Sequence, residues 1–259
     1  MSPLVLDMAQ IRDAISGFLW PFFRISALFA ILPVLGGGEV PMRVRVALAV
    51  IVTALVLPLL PPAPPLDPLS AGSLLVTLQE IVIGLAMGLM VLLVFNAVTL
   101  AGESVAITMG LGFALMNDPQ NGVQVPTVSQ FYLVVATLLF LSLDGHHAAL
   151  ALAVGSFENL PIGAALGPDA TWQLLSWAGM VFRGALSIAL PALAAMLTVN
   201  LLMGVMTRAA PQMNIFSVGF PLTMSMGFVA IALTLPAFGE SFESLLAEAL
   251  DALSQLTSP

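Results

Sequence analysis

Cysteine is absent from this chain, and so is lysine. Without a thiol there is no disulfide and no thiolate metal site. Charged residues are only 8% of the 259, where soluble domains carry about 25%. So few charges cannot cover a water-facing surface, which excludes an ordinary soluble domain. The basic residues are six arginines, set against 14 acids for a net charge of -8. That balance argues against nucleic acid as a partner, because nucleic acid calls for basic patches. There is also no nucleophile elbow, no phosphate loop and no zinc-binding helix motif, so nothing points to an enzyme.

What is present is apolar. Hydrophobic residues make up 59% of the chain and the mean hydropathy is +1.08. Lipid must replace water as the solvent for most of it. A span needs roughly 20 apolar residues to cross a hydrocarbon core of about 30 Å. The expected class is an all-α membrane protein with about six hydrophobic segments and short loops. The N-terminus carries Asp7 and Asp13 rather than a basic region, so the first apolar stretch is expected to be kept as a span.

Punctuation divides the chain. The first apolar stretch, 14–35, holds Pro21, Arg24 and Pro33 and ends at Gly36-Gly37-Gly38. Glu39, Pro41, Arg43 and Arg45 make a polar turn before a second stretch, 44–60. The proline-rich 61–68 segment cannot be helical, since each ring fixes φ and removes a donor; it reads as a stiff external connector. A long third stretch, 74–116, contains Glu80, Asn96, Glu103 and several glycines, then runs into a cluster of turn formers at Asn117-Asp118-Pro119-Gln120. Another run, 126–143, closes on Asp144-Gly145-His146-His147, and the apolar piece after it, 148–154, is too short to span. A polar loop, 158–169, leads to the 35 residues of 172–206. As one helix these would measure about 52 Å, so a kink or break is expected at Pro191 near their middle. A turn at 207–214 precedes the last span, 215–238, and 240–251 alternates acids and apolar residues like an amphipathic tail.

Arg43, Arg45 and Arg208 fall on one side of a six-span reading. The positive-inside rule then places their loops in the cytoplasm and both termini outside.

Charge within apolar stretches is the first candidate for function. Arg24, Glu80, Glu103 and Arg183 lie in or near such stretches, and each ionised group costs at least about 2.5–3.5 kcal/mol at the bilayer centre. They could line an ion or substrate path, or simply pair against neighbouring helices. Asp144, His146 and His147 suggest a metal or proton site, but adjacent histidines on a helix diverge, and a polar span end is the blander reading. Gly84 and Gly88 have the spacing of closely packed helices. Gly110 and Gly112 form a glycine motif with no strand before it, which argues against a dinucleotide loop. The 117–124 cluster lines or blocks a pore if it lies at membrane depth, and is an ordinary loop if it does not. The methionines flanking 207–214 suit either a conformable seal or core filling.

The ordered motifs resemble the FliR-type flagellar export-gate proteins, whose injectisome relatives are the SctT proteins. Along the chain these are Trp20-Pro21 with Arg24; Pro41, Arg43 and Val44; Gln79-Glu80 with Gly84 and Gly88; Ala101-Gly102-Glu103, Met109-Gly110-Leu111 and Asp118-Pro119; Gly145-His146; and Leu160-Pro161-Ile162-Gly163. The densest match is Arg208 to Pro221, with Pro211-Gln212, Phe216, Gly219 and Pro221. Thr108 departs from the glutamine that many relatives carry before Met-Gly, which puts the local hydrogen bonding in question.

The resemblance implies one export-gate membrane domain over 1–259, built of tilted helical hairpins that assemble with FliP- and FliQ-type subunits. FlhB- and FlhA-type proteins would complete the apparatus, and unfolded flagellar subunits would pass through it. No cofactor and no catalytic residue is implied. A plug loop at about 109–125 would use Met109, Gly110, Gly112, Asn117, Asp118, Pro119 and Gln120. A hairpin tip contacting partners would use Arg208, Pro211, Gln212, Asn214, Phe216, Gly219 and Pro221. Arg24, Glu80 and Glu103 would be buried charges with protein and water for neighbours. The open alternatives are an injectisome gate subunit, a small-solute permease coupled to protons through Glu80 and Glu103, and a membrane enzyme using His146 or His147.

Overall fold

The computed structural model describes residues 8–38, 40–64, 66, 70–112, 127–209 and 219–257, with side chains from residue 15 onward. Among these residues there are eight α-helices and no strand. They are α1 (Met8–Ile31), α2 (Met42–Val56), α3 (Ala71–Thr108), α4 (Thr127–Ser142), α5 (Gly145–Asn159), α6 (Pro168–Trp177), α7 (Met180–Ala209) and α8 (Phe220–Leu256). A 3-10 turn, Leu57–Leu59, follows α2.

Several boundaries follow from local chemistry. Pro41 precedes α2 in an extended conformation, and its carbonyl accepts from the amides of Val44 and Arg45. Pro168 opens α6, where a missing N–H loses no intrahelical bond, and Asp169 complements the positive end of the helix dipole. Pro221 occupies the first turn of α8 for the same reason as Pro168.

Four helices are long and apolar enough to cross a membrane: α2 with its 3-10 turn, α3, α6 with α7, and α8. A fifth span exists if α4 and α5 are taken together, and Ile15–Ile31 is apolar but shorter. These correspond to the six expected apolar segments, with α1 and the α4–α5 pair the two that fail the length test singly. In its most apolar window α3 is 61% buried, against 11% for α2. Being apolar on every side, α3 can be packed on more than one face. The bare faces of α2 (Met42, Ile51, Leu55) and α7 (Phe182, Leu201, Val205) are far too apolar to face water.

The chain forms two compact units. The first comprises 1–92, 144–178 and 248–259. Here α1 lies directly on the first half of α3. A Cβ on Gly84 would collide with the Arg24 carbonyl and Ala27, and one on Gly88 would sit 3.1 Å from the Leu28 carbonyl oxygen. The expected close approach is therefore α1 against α3. Trp20, Val76, Phe157 and Ile162 make a small core, with Leu60, Ala63 and Leu66 packed against it. The proline-rich connector thus folds down onto apolar residues instead of standing away. The indole of Trp177 donates to the Met90 carbonyl at 3.3 Å, which fixes the end of α6.

The second unit comprises 93–143 and 179–247. Its centre is aromatic. Phe95 meets Phe140 and Phe242 edge-on at 5.6 and 5.8 Å, and Tyr132 lies 5.0 Å from Phe238. Gly102 lets α4 approach α3, since a Cβ there would lie 2.5 Å from the Ser129 Cα. The Ser129 hydroxyl donates to the Thr99 carbonyl at 3.1 Å.

Two boundaries differ from the sequence expectation. The 172–206 stretch breaks between Trp177 and Met180, while Pro191 stays inside α7. The acidic 240–251 segment is no separate tail: α8 runs unbroken through Pro236 to Leu256.

Candidate functional site

Two places carry the candidate residues. The first is an ion pair sealed inside the first unit. Arg24 comes from α1 and Glu80 from α3, and both side chains are fully buried. The Arg24 Nε donates to Glu80 Oε2 at 2.7 Å, and its Nη2 to Oε1 at 3.1 Å. This two-pronged geometry is the strongest that a guanidinium and a carboxylate make. Two more of its N–H groups are also used. Nη1 reaches the Ser156 hydroxyl at 2.9 Å, and Nη2 the Leu160 carbonyl at 3.0 Å. The guanidinium carbon lies 3.9 Å above the ring of Phe157. The amide of Gly163, at φ 93°, points at Glu80 Oε1 from 3.4 Å. The charges hold the end of α5 and the loop after it against α1 and α3. Of the two readings for these charges, pairing against neighbouring helices describes Arg24 and Glu80.

Glu103 and Arg183 are different. Glu103 is half-buried on α3 and has no ion-pair partner among the described residues. Arg183 is exposed on α7.

The second place is the C-terminal end of α3, in the second unit. The Leu111 amide bonds back to the Ala106 carbonyl and the Gly110 amide to the Ile107 carbonyl, each at 3.0 Å. With Gly110 at φ 87°, this is the Schellman stop, in which a left-handed glycine closes the last helical carbonyls. The Met109-Gly110-Leu111 motif is therefore a helix terminator. The Thr108 carbonyl accepts from Asn200 of α7 at 3.3 Å, and its hydroxyl bonds to the Val105 carbonyl at 2.7 Å. Those bonds answer the question raised by threonine at this position.

Around that stop the start of α8 closes in. The Phe220 ring would lie 3.3 Å from a Cβ on Gly110. Met109 is fully buried, and its thioether fills the space left by the missing side chain of Gly227. Gly219 is buried, Pro221 and Arg208 are exposed, and Gly112 is half-buried. Asn117, Asp118, Pro119 and Gln120 lie outside the described residues, as do Pro211, Gln212, Asn214 and Phe216. What the structure brings together is the root of the candidate plug segment, Met109 and Gly110, with the end of the candidate hairpin tip, Gly219-Phe220.

Sequence reasoning missed Ser156, Phe157, Asn200 and Gly227. Gly227 had a legible signal as a small residue within an apolar run. Ser156 and Asn200 did not, because each matters only through a partner far away in sequence.

Residues 15–249 match the profile described as bacterial export proteins, family 1. The chain belongs to this family. It is similar to the flagellar biosynthetic protein FliR of Pectobacterium carotovorum subsp. carotovorum, at 38% identity over 93% of each chain. The FliR of Escherichia coli (strain K12) is 36% identical, covering 93% of this chain and 92% of the other. The FliR of Aquifex aeolicus (strain VF5) is 32% identical over 89% and 90%. The chain is thus a FliR-type membrane export protein. These relatives carry the name flagellar biosynthetic protein, and the matched family that of bacterial export proteins.

Proposed function

We propose that this chain is a noncatalytic subunit of the flagellar export gate in the bacterial cytoplasmic membrane, forming part of the path for unfolded flagellar subunits. The observation that carries this reading is the match to FliR relatives along nearly the entire chain. The apolar faces of α2 and α7 fit burial against FliP- and FliQ-type subunits and lipid, with FlhB- and FlhA-type proteins joining the same apparatus. The arginine distribution favours termini on the periplasmic side.

Within that role, 109–125 acts as the plug. The Schellman stop supports this by ending α3 just before the polar Asn117–Gln120 cluster. The 208–221 segment acts as the hairpin tip on the cytoplasmic side. Phe220 lying against Gly110 gives a physical reason for motion of one segment to be felt by the other.

The test has two arms. A tagged chain should copurify FliP- and FliQ-type subunits, and deletion of 110–122 should raise ion leakage through the assembled gate. Copurification without increased leakage would remove the plug assignment alone. Failure to copurify, with solute transport by the isolated chain, would favour the permease. The relatives named above are flagellar, so loss of motility on gene deletion is expected, and intact motility with lost effector secretion would favour an injectisome.

A further inference from the structure

We infer that Asp144, His146 and His147 bind one divalent transition-metal cation of the zinc, copper or nickel class. These are the only two histidines in a chain without cysteine, and both stand in the first turn of α5 beside a carboxylate. One donor atom from each of the three residues lies within 4.8 Å of the others. The His147 Nδ1 is already 3.0 Å from Asp144 Oδ1, and the two imidazole rings lie 3.9 Å apart. Metal–nitrogen and metal–oxygen bonds of about 2.0–2.2 Å place neighbouring donors roughly 3–3.5 Å apart in a tetrahedral shell. Closing the site asks donors no more than 4.8 Å apart to draw together, which rotation about the side-chain bonds would supply.

Adjacent histidines on a regular helix are expected to diverge, yet these two rings lie 3.9 Å apart. The third donor comes from outside the helix. Asp144 sits at φ 54°, in the left-handed region, immediately before α5 begins. Its carboxylate turns back over the first turn to reach His147. The chemistry of the donors is also selective. Two imidazoles and one carboxylate suit zinc, copper and nickel, while magnesium and calcium prefer all-oxygen shells. The side chains of Asp144 and His147 are 74% and 69% exposed, so a cation can enter and keep water in its open positions. A bound cation would bridge the residue before α5 to its first turn and pin that end of the helix.

The test uses the full chain purified with a histidine-free tag. Zinc titrated by calorimetry should bind as one equivalent. Asp144→Asn and His147→Gln should each weaken it by at least about 10–100-fold, the loss that follows even when only a group supporting a ligand is removed. The double variant His146→Gln/His147→Gln should abolish it. Copper bound to the unmodified chain should show imidazole nitrogen coupling in its paramagnetic resonance spectrum. Zinc affinity unchanged in the double variant, no zinc binding at all, or a copper spectrum lacking nitrogen coupling would each overturn the assignment. The copper measurement needs no variant, so misfolding of a mutant cannot leave the question open.

Discussion

Arg24 and Glu80 are 56 positions apart in the sequence, yet their side chains meet in two hydrogen bonds at 2.7 and 3.1 Å with no exposure to solvent. Removing one partner leaves a buried charge with nothing to answer it, which costs about 3–5 kcal/mol. Arg24→Met and Glu80→Leu should each lower the thermal stability of the purified complex by that order. The double variant should lose less than the sum, because it leaves no orphaned charge. A double-mutant cycle on thermal midpoints measures this coupling. Equal and independent losses would show that the pair is not the unit described. Glu80→Gln also bears on the permease reading. If transport required a titrating carboxylate there, activity would vanish at normal protein levels, whereas the packing role predicts that stability falls with it.

How far such a pair was legible depends on what kind of information fixes it. An arginine and a glutamate within apolar runs announced that they needed partners, since their ionisation at depth is expensive. Nothing in the sequence said that the partners were one another, or that Ser156, Phe157 and Leu160 closed the shell. Those contacts arise from tertiary packing, which periodicity does not encode. Gly84 and Gly88 were legible because a four-residue glycine spacing has a local geometric meaning. Pro191 misled because helices in apolar surroundings tolerate an internal proline when neighbours satisfy the freed carbonyl. Ala178-Gly179, where the break falls, carries a weaker signal. The Met109-Gly110 stop was visible as a motif, but its meaning needed the backbone bonds.

The glycines of the first unit separate packing from mere helix breaking. Gly84 faces the Arg24 carbonyl, while Gly155, exposed on α5, has nothing within 4 Å of an added Cβ. Gly84→Ala should destabilise by about 1–3 kcal/mol, as overpacking does. Gly155→Ala should be neutral or stabilise by up to about 1 kcal/mol, since alanine is the better helix former. Thermal midpoints of the two variants should move in opposite directions or differ clearly. Matching shifts would mean that α1 does not rest on Gly84.

At the end of α3 the demand is conformational. Gly110 holds φ 87°, where any side chain costs about 1–2 kcal/mol. Gly110→Ala should therefore lose about that much, and Phe220→Leu should not restore it, because the backbone term survives removal of the ring contact. Asn200→Ala removes only one exposed bond to the Thr108 carbonyl. It should cost under about 1 kcal/mol. If the order of these two losses were reversed, the side-chain cap rather than the glycine stop would be terminating the helix.

Met109 and Gly227 meet by volume at this junction. The thioether occupies the volume that a Gly227 side chain would need, and it is fully buried. Met109→Ala should leave a cavity and cost about 2–5 kcal/mol. Gly227→Ala should overpack the same space and cost about 1–3 kcal/mol. Combined, the new methyl group fills part of the cavity, so the double variant should be more stable than Met109→Ala alone. That sign reversal is the decisive observation, because substitutions at separate sites only add their losses. If it holds, the root of the proposed plug segment is keyed into α8 by volume. Export assays on the same three variants would then relate that fit to gating: the double variant, with the fit partly restored, should leak less than Met109→Ala.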